Sequence, residues 1–284
     1  MMTYRQLYLQ TKQRLSASDI DDPEFDARCL FEKATGLNRI GLITYGNDAA
    51  DKTCVKSLEN YIRRRLNHEP LQYILGSRNF YGFDFKVGKG VLIPRDDTEV
   101  VVNLCIDYLK SLGRQAHVID LCAGSGAIGV ALALNTDSQV IALELSDSAF
   151  EYLTQNVSAS KADIQLYKGD VLKCYDEFQD DSFDLIVSNP PYINSDEIKT
   201  LQKEVQNEPI AALDGGADGC DFYRSITEHW TPKLKNGGAL AFELGENQAD
   251  TVKSLMIEQG YKNIKTSLDL GGTQRAIIGT LIKK

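Results

Sequence analysis

Residues 183–192 read Phe-Asp-Leu-Ile-Val-Ser-Asn-Pro-Pro-Tyr, and this stretch decides the fold. The apolar run that follows Asp184 is typical of a strand buried on both faces of a parallel sheet. It ends at two prolines, which donate no N–H to a sheet and keep the preceding residue out of helical geometry. The chain is therefore predicted to leave the sheet at Asn189 in a stiff, extended turn. Open α/β sheets bind ligands at the carboxyl ends of their strands, so we expect a binding site at this turn.

The side chains of this turn suit a reaction at a planar nitrogen. An amide or ring-attached amino nitrogen carries two hydrogens, and the Asn189 side-chain oxygen and the Pro190 carbonyl can each accept one. Tyr192 can pack on the flat face of the group, so that the nitrogen lone pair points at an electrophile. The candidate catalytic residues are Asn189, Pro190 and Tyr192, and the candidate substrate-binding residues are Asn189, Pro190, Pro191 and Tyr192. An ordinary strand-ending turn is the alternative, because Asn and Pro are common turn formers.

From about residue 100 onward, helix and strand patterns alternate as in a doubly wound α/β sheet. Strands are predicted at residues 118–121, 140–143, 164–167, 184–187 and 238–243, and a helix at 247–259. Two further strands, at 264–268 and 276–282, are predicted to form an antiparallel pair at the sheet edge.

A glycine-containing loop follows the first of these strands and is a candidate cofactor site. Its residues are Asp120, Cys122, Ala123, Gly124, Ser125 and Gly126. Glycines permit a tight turn and close approach of a ligand, which the helix beginning at Ala127 would face. A nicotinamide enzyme would also fit such a loop, but the glycine spacing departs from the dinucleotide fingerprint. The second strand ends at Glu144, whose carboxylate can bind both ribose hydroxyls of an adenosine group; a helix-capping acid is the alternative.

The first 78 residues have helical patterns throughout and are predicted to form a small domain that recognises a macromolecule. Asp22-Pro23 is a helix start and Gly36 a helix end. We interpret the run Arg63-Arg64-Arg65 as a solvated face, with a partner contact as the alternative. Residues 79–99 are predicted to be a β-hairpin linker whose strands, 80–87 and 91–94, are joined by a glycine turn at 88–90. Residues 100–284 would form the main domain.

Composition narrows the function classes. The chain has 284 residues and a net charge of −9, which argues against the broad basic surface of a nucleic-acid-binding protein. The six cysteines and three histidines are scattered, so neither a metal site nor a disulfide framework is predicted. No apolar run approaches a membrane span, and the amino terminus lacks a signal-peptide core. We therefore expect a soluble, cytoplasmic protein with no membrane partner and no direct nucleic-acid binding.

The motifs resemble those of a known family. Asn-Pro-Pro-Tyr is similar to the signature of S-adenosylmethionine-dependent methyltransferases that modify nitrogen in a planar group. Leu-Ile-Pro-Arg at 92–95, Thr-Glu at 98–99 and Glu-Pro…Ala-Leu at 208–213 resemble the N5-glutamine methyltransferases of peptide chain release factors more narrowly. The likeness covers the chain from Glu69 onward. Asp96 departs from it where proline is usual, and Glu144 where aspartate is common.

The resemblance implies a class I methyltransferase fold, with a mostly parallel, Rossmann-like seven-stranded sheet. It implies S-adenosylmethionine as the cofactor, S-adenosylhomocysteine as the product, and cofactor contacts from Asn189 and the loop described above. By the same resemblance, Asp170 accepts from the adenine amino group and Val171 packs against the base.

The implied activity is methyl transfer to the glutamine nitrogen N5 in the Gly-Gly-Gln motif of class I release factors, which would modulate translation termination. The protein partner would be the release factor, and we expect the enzyme to act as a monomer. A glutamine in a large-subunit ribosomal protein and a nucleobase amino group are alternative acceptors. A nicotinamide oxidoreductase or a cofactor-binding regulator would belong to other classes, and neither explains Asn-Pro-Pro-Tyr.

Overall fold

The computed structural model describes residues 2–283, which form two compact units. One unit contains the residues up to Ser77 together with Gln202–Asn207. The other contains Arg78–Leu201 and the residues from Glu208 onward. The chain therefore returns to the first unit for six residues after the Asn-Pro-Pro-Tyr turn. No helix among the described residues is both long and apolar enough to cross a membrane.

The first unit is helical, as predicted. Its helices are α1 (Tyr4–Ser16), α2 (Pro23–Thr35), α3 (Arg39–Tyr45), α4 (Lys52–Leu66) and α5 (Leu71–Leu75). The Asp22 side chain caps α2 by accepting from the backbone N–H of Phe25, 3.1 Å away. Gly36 ends this helix with a φ of 71°, a conformation that glycine adopts without strain. The caps read from the sequence are thus confirmed.

The interpretation of the arginine run as a solvated face is wrong for Arg65. Its side chain is buried and pairs with Asp26 on α2 and with Glu204 in the returning segment. The guanidinium also donates to the carbonyl oxygen of Glu69. A cation can be buried here because it has two carboxylates as partners. Arg64 also has a carboxylate partner, Glu69, and is only partly exposed.

The predicted hairpin exists, but its position was wrong. Its strands are β1 (Ser77–Phe80) and β2 (Phe83–Lys86), joined by Tyr81 and Gly82. Both turn residues have positive φ, 50° and 81°, which suits a two-residue hairpin turn. Residues 88–94 form no strand. Their glycines meet another element instead: a Cβ at Gly88 would lie 2.1 Å from the Tyr152 hydroxyl.

The second unit contains a seven-stranded sheet with helices on both faces. Its elements are α6 (Thr98–Leu112), β3 (Ala116–Leu121), α7 (Ala127–Asn135), β4 (Ser138–Glu144), α8 (Asp147–Ser160), β5 (Ile164–Lys168), β6 (Phe183–Ser188), α9 (Asp221–His229), β7 (Leu234–Glu243), α10 (Ala249–Glu258), β8 (Tyr261–Leu268) and β9 (Gln274–Leu281). The strand order is β5-β4-β3-β6-β7-β9-β8. The first five are parallel neighbours, while β9 is antiparallel to both β7 and β8. The doubly wound, mostly parallel sheet and its antiparallel edge pair are confirmed.

The central strand β6 is buried along all six residues. Leu185 and Val187 face a core shared with α6 and α7, whereas Ile186 faces a core shared with α9 and α10. At the amino end of the strand, the buried Asp184 carboxylate accepts from Arg114 and Lys235 at 2.5 and 2.8 Å. These contacts fix the strand from which the Asn-Pro-Pro-Tyr turn departs.

Candidate active site

A cavity of about 520 Å³ opens at the carboxyl ends of β3, β4 and β6. This volume is within the range of small-molecule sites. Nine of the predicted site residues line it: Cys122, Ala123, Gly124, Ser125, Glu144, Asp170, Val171, Asn189 and Pro191. Four others do not: Asp120, Gly126, Pro190 and Tyr192. The nine lining residues lie up to 69 positions apart in the sequence, and the carboxyl ends of the parallel strands bring them to the same edge of the sheet, as predicted.

The glycine loop between β3 and α7 makes the tight turn that its sequence predicts. Cys122, Gly124 and Gly126 have φ values of 61°, 57° and 84°. A Cβ at Gly126 would lie 2.6 Å from a methyl carbon of Leu153, so only glycine fits there. The amino end of α7 follows directly, and the backbone N–H groups at a helix start favour a negatively charged ligand group.

Asp120 does not line the cavity but connects the end of β3 to α7. Its Oδ2 atom accepts from the backbone N–H of Gly129 in α7 at 2.9 Å, and Oδ1 is buried without a hydrogen-bond partner among the described residues. Burial raises the pKa of Asp120 to about 7. A direct cofactor contact by Asp120 stays a prediction.

Glu144 lines the cavity at the tip of β4, and only 8% of the residue is exposed. Its two oxygens accept from the backbone N–H groups of Gly124 and Ser146, at 2.8 and 2.7 Å. Burial raises the pKa of Glu144, and these hydrogen bonds oppose the rise. Ser146 itself caps α8 by accepting from Ala149, so Glu144 is not the cap of that helix. The carboxylate retains lone pairs that can accept from a ligand.

Asp170 and Val171 follow β5 and form another part of the lining. Asp170 accepts from the backbone N–H of Leu172 at 3.0 Å and pairs with Lys173. The carbonyl oxygen of Val171 accepts from the indole N–H of Trp230 at 2.9 Å, which fixes its position. Asp170 therefore offers an acceptor beside an apolar surface, a combination that suits an adenine ring with its amino group.

The Asn-Pro-Pro-Tyr turn follows β6 as predicted. Asn189 faces the cavity, and its Nδ2 atom lies 3.5 Å from the Thr98 hydroxyl oxygen. The Tyr192 ring instead packs against Gly245, and its hydroxyl donates to Glu243 at 3.1 Å. Burial raises the pKa of Tyr192, so this hydroxyl stays protonated. Packing of Tyr192 on an acceptor group stays a prediction, since in this structure the ring supports the turn.

Sequence reasoning missed three residues of the site: Thr98, Glu208 and Glu243. Thr98 and Glu208 stood inside the family-like segments, but nothing in their local pattern assigned them a role. The Glu208 carboxylate accepts from the backbone N–H of Ile93 at 3.0 Å and pairs with Arg95, which explains why Leu-Ile-Pro-Arg and Glu-Pro occur in the same chain. Among the described residues, no group of three potential metal ligands occurs.

Comparison with known proteins identifies the family of this chain. Residues 6–76 match the family model described as PrmC N-terminal domain, and residues 94–215 match the one described as Conserved hypothetical protein 95. The release factor glutamine methyltransferase of Geobacter sulfurreducens is 37% identical over 281 residues, which cover 98% of this chain and 97% of the relative. The chain belongs to the release factor glutamine methyltransferase family. The family member from Thermodesulfovibrio yellowstonii is also 37% identical, over 78% of this chain and 80% of its own length.

The fold agrees with this membership. A methyltransferase from Pyrococcus furiosus superposes with a TM-score of 0.53 at 19% identity, covering 72% of this chain and 91% of that one. The match shows that the chain contains a methyltransferase fold. The two departures from the usual motifs of release factor glutamine methyltransferases have local explanations. Asp96 pairs with Arg78 on β1, and Glu144 still carries its carboxylate into the cavity.

Proposed function

We propose that this chain transfers a methyl group from S-adenosylmethionine to N5 of the glutamine in the Gly-Gly-Gln motif of class I peptide chain release factors. This transfer would modulate translation termination. The observation that carries the proposal is one cavity that contains the glycine loop, Glu144 and Asn189 together in a member of this family. The partner is the release factor, bound by a monomeric enzyme in the cytoplasm without membrane or direct nucleic-acid contact.

The lining residues fit the proposed cofactor. Glu144 would accept from the ribose hydroxyls, Asp170 from the adenine amino group, and Val171 would pack on the base. The loop from Cys122 to Gly126 and the start of α7 would hold the charged amino acid part. When bound, S-adenosylmethionine supplies a methyl group on a positively charged sulfur. That charge makes the sulfur a good leaving group, so the transfer needs no metal.

The protein's contribution is then placement of the acceptor amide. Asn189 Oδ1 and the Pro190 carbonyl would each accept one hydrogen of the substrate amide, so that its nitrogen faces the methyl group. Holding two reactants in line can contribute roughly 7–11 kcal/mol to lowering the barrier. The turn begins at the end of the fully buried β6, which suits a site that must not move.

The amide proton would leave to water. None of the cavity-lining residues is a histidine or a lysine. Asp214 lines the cavity, but hydrogen bonds from the Ser195 hydroxyl and the Gly216 N–H lower its pKa, which makes it a weak base. The N-methylated amide carries a positive charge until it loses one N–H hydrogen as a proton, and it is acidic enough to give that proton to water.

The test uses labelled S-adenosylmethionine with purified release factor, a large-subunit ribosomal protein and DNA as parallel acceptors, and mass spectrometry to locate the methyl group. We expect label on the Gly-Gly-Gln glutamine. Asn189→Ala should abolish transfer while leaving the cofactor dissociation constant within about threefold, because the amide serves the acceptor. Asn103→Ala, at an exposed position on α6, is the matched control.

Each other outcome has a defined meaning. Label on another acceptor would overturn the proposed substrate and keep the chemistry. Cofactor binding without transfer to any acceptor would indicate a binding protein. Equal loss of cofactor binding and transfer in Asn189→Ala would refute the assignment of Asn189 to the acceptor.

A further inference from the structure

The Asn-Pro-Pro-Tyr turn is held by contacts at both of its ends. Its two prolines have no backbone N–H, so they donate no hydrogen bond that could fix the turn from within. At the first end, the buried Ser188 hydroxyl in β6 donates to the carbonyl oxygen of Leu121 at 2.7 Å. At the other end, the Tyr192 carbonyl oxygen accepts from a side chain outside the turn, the amide of Gln248. The position of Asn189 between these ends therefore depends on both contacts.

The Gln248 amide contacts three segments of the chain. Its Nε2 atom donates to the carbonyl oxygens of Tyr192 and Gly219, at 2.8 and 3.2 Å. Its Oε1 atom accepts from the backbone N–H of Gly245 at 3.0 Å. All three partners are backbone groups, and a carbonyl oxygen only accepts while a backbone N–H only donates, so the orientation of this amide is determined. Gln248 directly precedes α10 but makes no side-chain capping hydrogen bond to that helix.

Two of the partners are glycines because the amide lies close to their backbone. A Cβ at Gly219 would lie 2.6 Å from Gln248 Nε2, and a Cβ at Gly245 would lie 2.5 Å from Gln248 Oε1. The same Cβ at Gly245 would lie 2.9 Å from a ring carbon of Tyr192. The glutamine amide, the tyrosine and the two glycines are thus packed without room for another side chain.

These contacts connect two parts of the cavity wall. Asn189 lies in the turn that ends at Tyr192, and Phe222 lies in the first turn of α9, three residues after Gly219. Both Asn189 and Phe222 line the cavity, whereas Gln248 does not. Because one NH₂ group binds the Tyr192 and Gly219 carbonyl oxygens together, it fixes the spacing between the turn and the start of α9.

We propose that Gln248 is a positioning residue that holds the Asn-Pro-Pro-Tyr turn at the spacing from α9 that methyl transfer needs. The proposal rests on the proposed function, because it takes the turn as the site of the acceptor amide. Gln248 acts through Tyr192 and Gly219 and touches neither reactant. Its three partners lie outside the glycine loop and β4, so cofactor binding should not depend on it.

The kinetic test measures methyl transfer to purified release factor by Gln248→Met and Gln248→Glu. Gln248→Met keeps the length of the side chain and removes the NH₂ group and the amide oxygen. In Gln248→Glu, at about pH 8, the ionised carboxylate can still accept from Gly245 but donates to neither carbonyl oxygen. Both variants should lower kcat by about 100-fold, the effect of a reactant displaced by about 1 Å, with KM and the cofactor dissociation constant changed less than about threefold. Gln259→Met, at the exposed position after α10, is the matched control and should leave kcat unchanged.

A second measurement needs no methyl transfer. In a ¹⁵N spectrum, the Gly245 backbone N–H should exchange slowly with solvent in the original enzyme and in Gln248→Glu, and at least about tenfold faster in Gln248→Met. Unchanged exchange in Gln248→Met, or an unchanged kcat in either variant, would overturn the positioning role. A loss of kcat with an equal loss of cofactor affinity would also overturn it, because the change would then reach the whole site. If the original enzyme methylates no acceptor, the proposed function fails, while exchange at Gly245 still decides whether Gln248 holds these segments.

Discussion

Glu208 connects two segments of the cavity wall, and removing it should weaken cofactor binding. Its carboxylate, almost fully buried, accepts from the backbone N–H of Ile93 at 3.0 Å and pairs with the Arg95 guanidinium. Ile93 and Arg95 line one side of the cavity, and Pro209, the residue after Glu208, lines another. Glu208→Ala would remove the contacts between these two segments without removing any side chain that lines the cavity.

The size of the effect follows from these contacts. A buried N–H left without an acceptor costs about 1–3 kcal/mol, and a hydrogen bond to a charged group contributes about 1.5–3 kcal/mol. Arg95 is partly exposed and can turn to water, so its share is at the low end. The free energy that holds these two wall segments together should thus fall by about 3 kcal/mol. If half of this loss is recovered only when the wall re-forms around the ligand, the dissociation constant rises about tenfold.

Calorimetric titration with S-adenosylmethionine measures this change, and urea unfolding reports stability in parallel. We expect the dissociation constant to rise about tenfold in Glu208→Ala. Glu208→Gln, which keeps an acceptor for Ile93, should raise it less than tenfold. Glu197→Ala, at an exposed position, is the surface control. An unchanged constant in a folded Glu208→Ala enzyme would refute the reasoning, because the wall would then be held without this carboxylate.

Three further changes test other parts of the molecule. Glu144→Ala should raise the cofactor dissociation constant at least about tenfold. An unchanged constant in calorimetric titration would mean that Glu144 only holds the backbone N–H groups of Gly124 and Ser146. Asp184→Asn should lower the free energy of unfolding by about 2 kcal/mol at pH 7, measured in urea, because its carboxylate loses two cationic partners. The folded pKa of Asp184 is about 2, below its ordinary 3.8, so this stabilisation is present above about pH 4 and is lost as pH falls toward 2; a difference between the two proteins that grows with acid would contradict the assignment. Arg65→Ala should destabilise the helical unit by about 3–5 kcal/mol, since two carboxylates lose a buried partner, and a melting temperature equal to that of Lys56→Ala, an exposed control on the same helix, would be inconsistent with it.

The sequence was sufficient for the parts of the site that follow strand ends. Each parallel strand is a short apolar run, and the residue after it must emerge at one edge of the sheet, so Glu144, Asp170 and Asn189 could be placed together without a structure. The glycine loop was equally predictable, because only a residue without Cβ fits at Gly126. In these cases a local sequence pattern determines both the backbone conformation of a segment and its place at the edge of the sheet.

Long-range polar pairs could not be predicted in this way. Glu208 and Ile93 are 115 residues apart, and neither position has a period or a motif that specifies its partner. The buried Arg65 was misread for the same reason, since its three-arginine run is also typical of a solvated helix face. The hairpin was misplaced because two glycine turns compete, and the tighter one at Tyr81-Gly82 is used.

The division between what was predictable and what was not follows how the site is built. The reactive groups are carried by the ends of strands, which are fixed by apolar packing on both faces and pairing on both sides. The position of the cavity wall depends in addition on buried polar contacts, such as those of the Glu208 carboxylate with the Ile93 backbone N–H and with Arg95. Methyl transfer of the proposed kind needs both levels, since a reactant displaced by about 1 Å reacts about 100-fold more slowly. Glu208→Ala should therefore change cofactor affinity at an intact sheet, whereas a change such as Asp184→Asn, at the opposite end of β6, should change stability first.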